Sequence, residues 1–180
     1  ILQVDQGLGA LFDYLEESGL MESSVVVLTS DHGEGLWQRP SGDGWVNTGR
    51  LESQLLSDLY RGHGEQLFDE LLRVPLVVRG PGVPEGRRDD RLVSLIDVYP
   101  TIFALLDLSP PEGIQGEPLV GEGASEGRSE LFSICSRGTS LTGGGRWKLH
   151  LPADRIQARG ARPVLFDLAS DPLELSPVED

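Results

Sequence analysis

Two short stretches hold the residue types that could do chemistry: Thr29-Ser30-Asp31-His32-Gly33-Glu34 and Gly62-His63-Gly64-Glu65. In the first, a carboxylate (Asp31) and an imidazole (His32) are adjacent, and both can face one ligand if the backbone turns there, which Gly33 permits. One oxygen and one nitrogen donor suit a divalent cation such as Ca²⁺, Mg²⁺, Mn²⁺ or Zn²⁺. The same tripeptide also serves as an N-cap or an ordinary surface loop, and on the residues alone both readings stand. In the second stretch His63 lies between two glycines, in backbone permissive enough to let the ring approach an anion. A protonated His63 could donate to a sulfate or phosphate oxygen and stabilise charge that develops there. A helix-capping or core histidine is the competing reading.

These stretches need elements to position them. Ile1, Val4, Leu8, Leu11, Phe12 and Leu15 recur at helical spacing, and Gly19 stands where helices commonly end in a left-handed residue. Val25-Val26-Val27-Leu28 is a short, β-branched apolar run, which after a helix reads as a buried strand of a parallel or mixed sheet. A polar cluster just past such a strand is where open α/β sheets place ligands. From Gln38 to Gly49 the chain reads as loop; Leu51, Leu55, Leu56 and Leu59 suggest one short helix, and Leu67, Leu71 and Leu72 a second. Residues 74–78 read as another buried strand, with Pro75 tolerable near its start. Residues 92–96 lead into a helix capped by Asp97, with Pro100 in its first turn and Val98, Ile102, Leu105 and Leu106 on its buried face. Residues 109–128, rich in Pro, Gly and Glu, read as a linker. Beyond them come short strands at 131–135, 139–141, 147–151 and 164–168, with the Thr142-Gly143-Gly144-Gly145 turn marking a hairpin.

The fold class expected is therefore α/β: a mixed, mostly parallel sheet flanked by helices (residues 1–124), followed by a small antiparallel β subdomain (residues 125–180). The 180 residues suffice for one domain with a sizeable core, or for a domain and a small addition. A net charge of −14 argues against a nucleic-acid partner, because phosphate backbones are bound through Lys and Arg. It does not exclude a small anionic substrate, since a bound cation reverses the local field. No apolar run approaches the roughly 18 residues that span a bilayer. The first residue is not Met and a helical pattern is already under way there, which suggests a segment of a longer protein. A single cysteine, Cys135, leaves the compartment open.

The order of motifs sharpens this picture. Thr-Ser-Asp-His-Gly-Glu (29–34), Gly-His-Gly-Glu-Gln-Leu-Phe-Asp-Glu (62–70) and Arg-Val-Pro-Leu-Val-Val (73–78) resemble successive motifs of sulfatases and of related phosphonate and phosphodiester hydrolases of the alkaline phosphatase superfamily. Val93-Ser94-Leu95-Ile96-Asp97-Val98-Tyr99-Pro100-Thr101 is similar to that family's helix entry. Arg146-Trp147-Lys148-Leu149 with Leu165-Phe166-Asp167-Leu168-Ala169-Ser170-Asp171-Pro172 is similar to its closing hairpin. The resemblance covers nearly the whole chain and implies the C-terminal half of a catalytic domain plus the small C-terminal subdomain. Asp31 and His32 match the pair that ligates one divalent cation, usually Ca²⁺ in sulfatases and often Mn²⁺ or Zn²⁺ in the phosphonate and phosphodiester branch. His63 matches the catalytic, substrate-contacting histidine, and Glu34 a position next to the metal. The implied activity of the intact protein is hydrolysis of a small-molecule or glycan sulfate ester, with a phosphonate monoester or phosphodiester as alternative. A non-catalytic binding module is the reading from a different class.

Two departures bear on that inference. The family's nucleophile, a Cys or Ser followed by x-Pro-x-Arg and converted to formylglycine, occurs nowhere in these residues, so the fragment alone is expected to be inactive. Cys135 lies in an apolar strand and reads as structural. The stretch between the metal pair and His63 is also long, with Trp37 and Trp45 either lining a substrate cleft or anchoring a loop. His150 reads as structural, and Lys148 as a strand residue whose stem packs while its amine stays wet.

Overall fold

The computed structural model describes residues 2–40, 59–63, 66–121, 123–158 and 160–178. Of the expected helix at Leu51, Leu55, Leu56 and Leu59, the first three residues lie outside these, as do most of the expected loop before it and Trp45; Leu59 opens a strand instead. The chain divides into two compact units, Ile1–Thr29 with Leu76–Gly127, and Ser30–Pro75 with Arg128–Asp180.

In the first unit, helix α1 (Leu2–Glu17) follows the expected 3–4 spacing and stops at Gly19, whose φ of 69° lies in the left-handed region glycine tolerates. Strand β1 (Val26–Thr29) pairs antiparallel with β4 (Leu76–Arg79), Val26 opposite Arg79 and Thr29 opposite Leu76. Pro75 stands just ahead of β4, where its missing N–H removes nothing from the ladder. A 3-10 turn (Leu95–Asp97) leads into α3 (Val98–Leu105). Asp97 is buried and stands at the N-cap of α3 as expected, but its carboxylate makes no cap bond to that helix; it closes a capping box on the preceding turn, its Oδ2 accepting the Ser94 N–H at 2.8 Å. Its Oδ1 accepts the Glu117 N–H at 3.0 Å, and the Thr101 hydroxyl accepts the Leu119 N–H at 2.9 Å. The Arg91 guanidinium donates to the carbonyls of Ser125 and Leu119. Among the described residues, 109–128 hold no regular element, but Glu117, Leu119 and Ser125 are tied down by Asp97, Thr101 and Arg91 rather than left as a free linker.

In the second unit, β2 (Gly35–Pro40) pairs antiparallel with β3 (Leu59–Gly62), so Gln38 to Pro40 are strand where loop was expected. A short helix, α2 (Asp69–Leu72), follows. The C-terminal stretch forms the expected antiparallel sheet, β5 (Glu130–Cys135), β6 (Gly138–Gly143), β7 (Trp147–Pro152) and β8 (Val164–Asp167), in sequential order, with one helical turn, α4 (Asp154–Gln157), after β7. Its buried face carries Ser140, Lys148, His150 and Phe166. Phe68, 1% exposed, meets that face, with ring centroids 5.2 Å from His150 and 6.3 Å from Phe166.

Two further expectations need correction. Among the described residues every strand pairing is antiparallel, so the mostly parallel sheet is not seen. An apolar β-branched run signals a strand packed on both faces, but nothing in it encodes the direction of its neighbour. Lys148 is the second: its amine is not wet, because the side chain is wholly buried.

Candidate functional site

The site is assembled by a short segment, a hairpin and a helix, all within the second unit. Asp31 and His32 follow β1 by two and three residues. The Ser30 hydroxyl donates to the His32 carbonyl at 2.7 Å, and the His32 N–H donates to Asp31 Oδ1 at 3.0 Å, which bends the segment back on itself. Gly33 does not occupy the left-handed region; it is required for a different reason. A Cβ there would lie 1.9 Å from the carbonyl oxygen of Glu70, and the Gly33 N–H donates to the Leu71 carbonyl at 2.8 Å. The segment therefore rests directly on α2, closer than any side chain allows.

The hairpin supplies the other half. Gly35 pairs with Gly62, so Glu34 and His63 stand side by side one step beyond the last rung. His63 Nδ1 lies 2.7 Å from Glu34 Oε2 and, facing a carboxylate, carries the proton. The His63 ring stacks on His32 with centroids 3.8 Å apart. His32 Nδ1 lies 2.7 Å from the Gly33 carbonyl, which can only accept, so this nitrogen is also protonated and a neutral ring has its lone pair on Nε2. Histidines that bind metals commonly hold the second ring nitrogen on a carbonyl or carboxylate in this way.

The spacing of these donors could admit a cation. His32, Glu34 and His63 each offer a ligand atom within 4.8 Å of the others. Asp31 Oδ2 lies 3.6 Å from His32 Nε2, a separation that one ion with bonds of about 2.0–2.5 Å can bridge. All four side chains remain accessible, with Asp31 the most exposed at 86%. The structure thus brings Asp31, His32 and His63 together and adds Glu34 as the partner of His63. Glu34 was visible in sequence as an acid beside the pair; what the sequence lacked was the hairpin register that sets it against His63. Cys135 lies elsewhere, on β5, where its sulfur accepts the Arg137 N–H at 3.4 Å.

A profile of the family described as Sulfatase matches residues 1–108. The chain belongs to the sulfatase family. This family lies in the alkaline phosphatase superfamily, and among relatives the sulfatase chain is 26% identical to arylsulfatase K of Xenopus laevis, covering 98% of this chain and 32% of that protein. It is 29% identical to human arylsulfatase D, covering 98% of this chain and 34% of the relative. The solved structure of a phosphonate monoester hydrolase from Agrobacterium radiobacter superimposes with a TM-score of 0.69 at 26% identity, over 98% of this chain and 35% of that one. The fold is thus that of alkaline-phosphatase-like sulfatases, and the chain spans about a third of the length of the curated relatives it matches.

Proposed function

We propose that the protein to which these 180 residues belong hydrolyses a sulfate ester, small-molecule or glycan, with Asp31 and His32 as ligands of one divalent cation and His63 as the catalytic group contacting the ester oxygens. The convergence of His32, Glu34 and His63 beside Asp31, in a member of the sulfatase family, carries this reading. Residues 1–124 then contribute to the catalytic domain and residues 125–180 form its C-terminal subdomain.

A cation held by Asp31 and His32 supplies Lewis-acid polarisation of the ester group. Ca²⁺ is the ion the family resemblance implies, and the imidazole donor suits Mn²⁺ or Zn²⁺ as well. The chain's own residues do the rest. His32 keeps Nε2 available because its Nδ1–H is held by Gly33. Glu34 holds the Nδ1–H of His63 and fixes the ring, and a His63 that also carries a proton on Nε2 can donate it to an anionic oxygen of the ester. No residue of the chain fits the nucleophile: Cys135 lies in a strand and lacks the Pro and Arg of the formylglycine motif. The chain by itself is therefore expected to turn over neither aryl sulfates nor aryl phosphates.

Similarity to a phosphonate monoester hydrolase favours a second reading, in which phosphorus replaces sulfur at the same site. The deciding experiment assays the intact protein with 4-nitrophenyl sulfate and with a phenyl phosphonate ester, alongside His32→Ala. Sulfate turnover that disappears in His32→Ala is the expected result. Turnover of the phosphonate alone selects the second reading, and turnover of neither would leave a binding module.

A further inference from the structure

We infer that Lys148 and Glu174 are positioning residues for the candidate metal site: the ion pair they bury fixes α2, and α2 carries the His32-Gly33-Glu34 backbone. This inference rests on the metal-site reading for its purpose, but its geometry is independent of any ion.

Lys148 and Glu174 are both wholly buried and lie 3.0 Å apart, Nζ to Oε1. The Lys148 ammonium also donates to Asp69 Oδ1 at 2.7 Å, and His150 Nε2 donates to Glu174 Oε1 at 3.0 Å. Glu174 Oε2 accepts the backbone N–H of Asp69 at 2.7 Å, which is the first residue of α2. Two residues further along that helix, the Leu71 carbonyl receives the Gly33 N–H, and the Glu70 carbonyl lies where a Gly33 Cβ would stand. One short helix is therefore gripped by the ion pair at its start and touches the metal-site backbone at its end. Lys148 comes from β7 and Glu174 from the segment after β8, so the C-terminal sheet is the mount of the site.

Stability alone is a poor explanation for this arrangement. Two charges taken out of water are compensated only in part, and apolar pairs of similar volume are often as stable or more so. Glu174 moreover sits at φ 53°, a backbone conformation that residues with a Cβ adopt at some expense. A strained residue holding a buried carboxylate against one backbone N–H is the pattern expected where orientation matters.

The test uses the full chain without metal, following amide hydrogen exchange at Gly33 relative to the amides of β6 and β7 in the same sample. This ratio cancels any overall loss of stability. Two variants are compared with wild type: Lys148→Met/Glu174→Leu, which replaces the pair with apolar groups, and Asp69→Asn, which leaves the pair in place and weakens its hold on α2. In the double variant Gly33 protection should fall about tenfold relative to the sheet, as loss of one hydrogen-bonded anchor implies. Asp69→Asn should shift the ratio in the same direction by a few-fold. If Gly33 and the sheet change in step, or Gly33 does not change, the pair is merely structural and the inference is overturned. Should the double variant fail to fold, Asp69→Asn decides by the same ratio. A parallel Mn²⁺ titration of wild type and His32→Ala judges the metal reading separately. Equal binding by the two would reject that reading and leave the exchange ratio to judge the positioning role.

Discussion

Gly33→Ala is the sharpest perturbation of the site that leaves every candidate ligand in place. A Cβ at Gly33 would lie 1.9 Å from the Glu70 carbonyl oxygen, 2.9 Å from its carbon and 3.1 Å from the Leu71 Cα. All three are backbone atoms, so no rotamer change relieves the overlap. An ordinary carbon–oxygen contact is about 3.3 Å or more, so the segment and α2 must separate by about 1.4 Å. That movement breaks the 2.8 Å hydrogen bond from the Gly33 N–H to Leu71. Overpacking of this kind costs about 1–3 kcal/mol, and the lost hydrogen bond adds about 1 kcal/mol. The sum corresponds to a fall in melting temperature of about 5–15 °C for a chain of this size. Scanning calorimetry reads the loss, and the electron paramagnetic resonance signal of free Mn²⁺ reads binding at the site. Gly116→Ala is the matched control, placing a Cβ 2.0 Å from the Ile96 carbonyl oxygen in the other unit. Both variants should melt early, but only Gly33→Ala should weaken Mn²⁺ binding at a temperature where both remain folded. A Gly33→Ala chain that melts within about 1 °C of wild type would refute the close packing of the metal-site segment on α2.

Three further outcomes follow from the same geometry. His63 is half-exposed, so His63→Ala should change stability by no more than about 0.5 kcal/mol, while the chemical rate of the intact protein falls about 10²–10³-fold if the ring donates to a developing oxyanion. Near-normal turnover with a large drop in melting temperature would make it a packing residue. Asp97→Ala strands the N–H groups of Ser94 and Glu117, and urea unfolding should show a loss of about 2–4 kcal/mol. Burial pushes the Glu174 carboxyl up, but the His150 hydrogen bond, the Lys148 ammonium and the Asp69 N–H outweigh it and hold the group below its ordinary 4.5. Its stabilisation is thus present above that pH and lost as pH falls through the lower folded value, so the stability gap between wild type and Glu174→Gln should shrink as the pH is lowered below 4.5. Parallel stability–pH curves for the two proteins would contradict this.

The sequence by itself determined the elements whose signals are local. Apolar spacing marked α1 and Gly19 its end; apolar runs marked β1, β4 and the strands of the C-terminal sheet. Glycines at 143–145 marked the β6–β7 turn, and there Gly144 and Gly145 adopt φ of 60° and 63°. Motif order was enough to single out Asp31, His32 and His63 as candidates, and the structure stacks His63 on His32 with Asp31 beside it. Tertiary structure alone decided the rest, because those facts depend on which distant segments meet. The direction of the β1–β4 pairing is not written in either strand. Glu34 reaches His63 across 29 residues through the hairpin register, and Gly33 is needed for contact with α2, whose sequence neighbours give no hint of it. Lys148 reads locally as a half-wet strand residue; it becomes a buried cation only because Asp69, 79 residues away, and Glu174, 26 residues away, converge on its amine. Periodicity and turn chemistry act over a few residues, whereas a charge can be buried only where its partners arrive from elsewhere in the chain.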